Sequence, residues 1–188
     1  MAFQNIENFI QKFAGGGVRT NLFEVVGNVG PVDGDLEQLN FLVRTAQLPA
    51  SSVGIVEVPF RGRNVKIPGD RSFADWSISV LLDQDFTLRD AFERWSSLIN
   101  QHVDNSSAFS VQPIGGAGIY QNWQVYSLDR QGVRRKGYNF VGCWPSEIGT
   151  VDLNNDPTTG IGEFPVTLTY QYWTTKETTD GSADELTT

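Results

Sequence analysis

The stretch from Leu48 to Leu82 limits the folds open to this chain more than any other. Ile55 to Phe60 and Val65 to Pro68 are short β-prone runs joined across Arg61-Gly62-Arg63-Asn64, the pattern of a hairpin in which Gly62 supplies the positive φ. Pro59 has no N–H to give a ladder, so the hairpin belongs at a sheet edge or on a projecting arm. Gly69-Asp70 then reads as a turn. Beyond it Trp76, Ile78, Val80 and Leu82 alternate with Ser77, Ser79 and Leu81, a period of two that marks a strand with one apolar face. A compact monomer has no need of such an arm. The pattern implies a chain that holds copies of itself.

The rest of the chain supplies a body for that arm. Phe3, Ile6, Ile10 and Phe13 repeat at helical spacing, with Asn5 as N-cap and Gly15-Gly16-Gly17 as the stop. Strands are expected at Leu22 to Val26, Leu39 to Ala46 and Trp76 to Leu82. Thr87 and Asp90 then resemble a capping box, and Leu88, Ala91, Phe92, Trp95, Leu98 and Ile99 form one apolar helical stripe. Tyr120 to Leu128 and Val133 to Cys143 form a hairpin around Asp129-Arg130-Gln131-Gly132, closed by Trp144-Pro145. Ile148 to Leu153 and Phe164 to Trp173 complete the strands, the last with Phe164, Val166, Leu168, Tyr170 and Tyr172 on one face. Thr174 to Thr188 is acidic and nearly devoid of apolar residues, and is expected to be a flexible tail. The fold class is therefore mainly β. It is a sandwich or partial barrel of eight or nine strands with a flanking α-helix and a projecting hairpin arm. The domain division is 1–17 (helix and glycine tether), 18–173 (β domain) and 174–188 (tail).

With 188 residues and 39% hydrophobic content the chain can bury a core unaided, and no stretch approaches a membrane span. No secretory signal is visible at the N-terminus, and one cysteine rules out an intramolecular disulfide, so a reducing compartment is expected. A formal charge of −8 argues against gripping a phosphate backbone. Eight of the 14 basic residues fall in two clusters, Arg61/Arg63/Lys66/Arg71 and Arg130/Arg134/Arg135/Lys136. Asp33/Asp35/Glu37 and Asp83/Asp85 lie in expected loops. The clusters read either as solvated hairpin tips or as complementary faces that steer identical subunits head to tail.

Catalytic chemistry finds little footing. His102 ends the Leu88 helix, where a cation is mildly favourable. Cys143 has no second cysteine or nearby histidine to make a nucleophile or a zinc site. Gly115-Gly116-Ala117-Gly118 lacks the Lys-Ser/Thr of a phosphate loop, and Asn105-Ser106-Ser107 is a glycosylation sequon without an export route. Asp152, Asn154 and Asp156, with Glu163 at the twelfth position, have calcium-loop spacing. Pro157, however, stands where the sharp turn wants glycine. Asp83/Asp85 could pair as glycosidase acids only in a cleft that sequence does not reveal. No enzyme, metal or cofactor is expected.

Leu48-Pro49, Val58-Pro59, Gly62-Arg63, Lys66-Ile67-Pro68-Gly69-Asp70-Arg71, Phe73 and Asp75-Trp76 are similar to the tail tube family of contractile-tailed bacteriophages. Asn21-Leu22-Phe23-Glu24-Val25, Trp144-Pro145 with Ile148-Gly149, and Phe164 to Trp173 extend the likeness over about residues 18 to 173. The resemblance implies a structural subunit whose sheets join between six copies into a ring barrel. Rings would stack, and the lumen would pass DNA during ejection. It implies sheath, baseplate and tail-terminator partners, a place in the virion tail after assembly in host cytoplasm, and no membrane.

On the residues themselves, Arg61, Arg63, Lys66 and Arg71 are the candidates for ring-to-ring contact, with Asp33, Asp35, Asp83 and Asp85 as acceptors. The hydroxyl-rich faces of Ser77/Ser79 and Thr167/Thr169/Gln171 are the candidates for the lumen, although an ordinary solvent face would look the same. Two other readings stay open: an inner-tube protein of another contractile injection machine carrying protein cargo, and a monomeric sugar-binding sandwich.

Overall fold

The structure, a computed structural model, describes residues 6–12, 17–30, 37–104, 106–107, 118–154, 160–179 and 182–185. In chain order its elements are α1 (Ile6–Lys12), β1 (Phe23–Val26), α2 (Glu37–Leu42), β2 (Val43–Ala46), β3 (Ser51–Phe60), β4 (Arg63–Phe73) and β5 (Trp76–Leu81). Then come α3 (Thr87–Ile99), β6 (Gln121–Leu128), β7 (Arg134–Ile148), β8 (Glu163–Thr169), β9 (Tyr172–Thr179) and β10 (Ser182–Glu185). Eight strands join one antiparallel network whose main path is β1-β6-β7-β8-β5-β2, with β9 on β7 and β10 on β9. The remaining two, β3 and β4, pair only with each other.

The long strand β7 organises the body. Its first half pairs with β6 and β9, and from Trp144 onward it pairs with β8, so one strand serves both layers. Between the layers the alternating apolar residues of β5, Trp76, Ile78 and Val80, meet Phe164, Val166 and Leu168 of β8. Trp76 stacks on Phe140 at 4.3 Å between ring centroids and meets Trp123 edge-on at 5.9 Å. Helix α3 closes this core with Leu88, Ala91, Phe92 and Trp95. Each large apolar side chain buried this way is worth roughly 1.5–3 kcal/mol. Two of the core indoles satisfy their polar ends: Trp95 Nε1–H donates to the Ile119 carbonyl at 2.8 Å and Trp76 Nε1–H to that of Gln47 at 2.6 Å.

Several boundaries differ from the sequence reading, each for a local reason. Leu39 to Leu42 is helical, because Leu39, Leu42 and Val43 contact the core at helical spacing and only the last four residues of the expected strand pair with β5. Gly69-Asp70 is not a turn but a bulged part of β4 facing Gly54. A Cβ on Gly69 would stand 3.2 Å from the Gly54 carbonyl oxygen, so glycine permits the close crossing. The β6–β7 hairpin ends at Trp144-Pro145 as expected, its last pair being Gln121 with Cys143, but strand β7 does not: from Trp144 it pairs with β8, absorbs a register shift after Pro145 and continues to Ile148. Gly149 to Asn154 consequently lies outside any strand. Phe164 to Trp173 is two strands, broken where the Gln171 N–H donates to the Val141 carbonyl at 3.0 Å. Past Trp173, β9 runs to Thr179 against β7, so the expected tail begins inside a strand and continues into β10. Helix α3 is capped not by a Thr87 box but by Asp83, whose Oδ2 accepts the Thr87 N–H at 3.1 Å. Phe3, Asn5 and Phe13 lie outside the described residues.

Candidate assembly surfaces

The arm stands out as expected. All ten residues of β3 are exposed, and in β4 only Gly69 and Phe73 are partly covered. The connection is tighter than the four residues foreseen: Phe60 pairs with Arg63, leaving Arg61 (φ 44°) and Gly62 (φ 86°) as the turn. Two positive φ values make it the primed hairpin turn that suits strand twist. Arg61 and Arg63 flank this tip, and the Arg61 guanidinium lies 5.4 Å from the Phe60 ring. Lys66 Nζ is 3.9 Å from Glu57 across the ladder, and Arg71 sits at the base opposite Val53.

The proposed acceptors are scattered. Asp83 is engaged as the cap of α3, whereas Asp85 is exposed in the same loop. Asp33 and Asp35 lie outside the described residues.

The second basic cluster is largely self-paired at the β6–β7 turn. Arg134 forks onto Glu24 at 2.8 and 2.9 Å and lies 4.3 Å from the centre of the Tyr126 ring. Arg135 reaches Asp129 at 2.8 Å. Asp129 Oδ1 also accepts the Gln131 and Val133 N–H groups at 2.8 and 2.9 Å, and these bonds, Val133's foremost, hold its carboxyl below the ordinary aspartate range.

The lumen candidates converge on one surface. Ser77 and Thr167 are direct cross-strand partners, with their hydroxyls 3.2 Å apart. Ser79 Oγ donates to Glu163 at 3.0 Å, and Thr169 Oγ1 to Asp75 at 2.9 Å. Arg44 of β2 closes on Glu163 at 3.0 Å, while Glu147 of β7 stands opposite Thr167. Glu163, the twelfth position of the calcium-like spacing, is thus spent on this face. Gln171 is not in the row, because it occupies the bend between β8 and β9. Among the described residues, the four strands β7, β8, β5 and β2 therefore present a ladder of hydroxyls with Asp75, Glu147 and Glu163 beside the cation Arg44. Sequence reading missed these charged members because Arg44 and Glu163 come together only through the β2-β5-β8 pairing.

Burial raises the Cys143 thiol to about 12, so it stays protonated at neutral pH and inert.

The family described as "Phage tail tube protein" matches residues 8–176. The chain belongs to the phage tail tube protein family. Among curated relatives, the tail tube protein gp19 of Enterobacteria phage T4 is 28% identical over 156 residues, covering 82% of this chain and 90% of gp19. Solved structures share the fold as well. A chain of the anti-feeding prophage baseplate, determined by cryo-EM with 6-fold symmetrisation, superposes with a TM-score of 0.59 at 10% identity, covering 85% of this chain and 95% of that one. A chain of the PVC sheath-tube complex, from an extracellular contractile injection system, does so with 0.57 at 11% identity, covering 90% and 97%. The tail tube protein described here is thus a structural component of a contractile-tailed phage virion, not a catalyst. The sugar-binding reading is set aside.

Proposed function

We propose that six copies of this tail tube subunit close into a ring by joining their β7-β8-β5-β2 sheets edge to edge, and that rings stack into a tube. The observation that carries this reading is the direction of the two border strands. Each neighbouring pair in the sheet is antiparallel, so β2 runs opposite to β7. The outer edge of one copy's β2 can therefore meet the Trp144–Ile148 portion of the next copy's β7 as an ordinary antiparallel pair. Repetition leaves this four-stranded sheet with no open border, which is how closed sheets avoid promiscuous pairing. The number six takes its support from the 6-fold symmetrised relative.

In such a ring the hydroxyl ladder of Ser77, Ser79, Thr167 and Thr169 faces the lumen. A wall with more acids than bases does not hold a sliding polyanion, which suits DNA passing outward without specific binding. Arg61, Arg63, Lys66 and Arg71 reach the adjacent ring, with Asp85, exposed in the loop before α3, as an acceptor. Sheath, baseplate and terminator proteins are the expected partners, and assembly takes place in host cytoplasm. Among the described residues no helix is long and apolar enough to cross a membrane.

Negative-stain electron microscopy of the purified protein tests the reading. Hollow stacked rings are expected; a compact monomer at high concentration in size-exclusion chromatography overturns it. With Arg61→Glu and Arg63→Glu together, rings should persist while tubes shorten.

A further inference from the structure

The β7-β8-β5-β2 sheet carries an irregularity and a charge at each of its two borders, and the charges are opposite. In β2 the pairing with β5 passes from Val43 opposite Val80 to Thr45 opposite Ser79, so Arg44 is the extra, bulged residue of that strand. In β7 the pairing with β8 passes from Pro145 opposite Leu168 to Glu147 opposite Thr167, with Ser146 as the extra residue. Arg44 and Glu147 both belong to the hydroxyl face: Arg44 meets Glu163 there, and Glu147 shares a row with Thr167 and Ser77. One border thus ends in a cation and the other in an anion.

Both charges are available beyond their own copy. Arg44 Nη1 lies 3.0 Å from Glu163, yet the side chain stays 58% exposed and its guanidinium has further N–H donors to give. Glu147 is exposed and makes no ion pair among the described residues. The basic side chains lining the cleft beside it face other groups. Arg89 holds Glu93 at 2.6 Å and the Gly149 carbonyl at 2.7 Å, and His102 Nδ1 lies 3.4 Å from Ser97 Oγ.

An open strand border does not choose its partner through the backbone. β2 against β2, or β7 against β7, is also an ordinary antiparallel pair, and each makes a two-fold dimer that consumes a border without extending a ring. Side chains make the difference, because like charges facing across a strand pair repel and unlike charges attract. A β2–β2 seam holds two Arg44 side chains and a β7–β7 seam two Glu147 side chains. Only β2 against β7 sets Arg44 and Glu147 in one seam.

Resting on the ring reading, we propose that Arg44 and Glu147 select the ring joint, admitting the β2 border of one copy to the β7 border of the next and refusing either border its own kind. The backbone ladder holds the joint and the two charges choose it. An exposed pair contributes little to affinity, so its signature is partner choice.

The test uses the full chain, with assembly followed by sedimentation and electron microscopy over a concentration series. Arg44→Glu and Glu147→Arg are prepared separately. Each should remain a folded monomer by circular dichroism and need at least ~10-fold more protein than the wild type to form rings. The deciding sample is their equimolar mixture. The first variant offers acids at both borders and the second bases at both, so every seam between unlike variants again joins an acid to a base. Strict alternation closes in an even ring, the proposed six included. Rings should therefore return at near the wild-type concentration, with a tag on one variant recovering the other in equal amount. Single variants that assemble like the wild type overturn the proposal. So does a mixture that stays unassembled while the single variants are impaired, since the damage then lies within each copy. Wild-type rings beside either result leave the ring reading standing. Failure of the wild type to form rings at all strikes that reading and takes this inference with it.

Discussion

At the scale of single residues, the β6–β7 turn shows how one carboxylate can order a hairpin. Asp129 gathers two backbone N–H groups and the Arg135 guanidinium, and the result is a lowered pKa. A group depressed in the folded state adds stability above its ordinary pKa and loses that stability as pH falls through the lowered folded value. Asp129→Asn keeps an acceptor oxygen but removes the charge. The variant should therefore be less stable than wild type near neutral pH, and the gap should close as pH falls through the lowered folded value, as read from urea midpoints from neutral into acid. The Asp-Arg-Gln-Gly turn was legible in sequence because its signals are local. The pairing of Arg134 with Glu24, 110 positions apart, was not.

At the scale of elements, the arm and the body obey different rules. The strands of the body alternate buried and exposed residues, and α3 buries the stripe that its spacing announced. The arm buries nothing in its own chain along β3, so it adds little to the stability of the body. Replacing Ser51 to Ser72 by a short glycine-serine loop, which keeps Phe73 against Tyr170 and Trp173, should leave the melting temperature, followed by circular dichroism, within about 3 °C of the intact chain. The same replacement should abolish tube formation. A large drop in melting temperature would mean that the arm folds back on its own body. The elements misread from sequence share a cause. The four-residue strand β2 follows the six-residue helix α2, and runs this short carry too few repeats for a period of two to be told from 3.6. The break at Tyr170-Gln171 was hidden because the aromatic alternation continues through it, and only the hydrogen bond from Gln171 to Val141 turns the chain.

At the scale of the whole molecule, the main path of the sheet ends at β1 and β2, the branch through β9 ends at β10, and the ring reading pairs β2 with the Trp144–Ile148 portion of the next copy's β7. Hydrogen exchange offers a direct measurement. The outward amides of Val43–Ala46 should exchange quickly in the monomer and slow by at least ~100-fold on assembly, while the core amides of β5 are protected in both states. Unchanged exchange in β2 would place the joint elsewhere. The sequence by itself determined the β architecture, the arm, the apolar stripe of α3 and membership of the tail tube family. The first three are written in periodicity and turn residues within a few tens of positions, and the family likeness in motifs spread over about residues 18 to 173. Only the tertiary structure decided that β7 serves both layers and that Arg44, Asp75, Glu147 and Glu163 join the hydroxyl ladder. Those facts depend on which strands lie side by side and in what register, and strand register is set by long-range pairing that no single segment encodes.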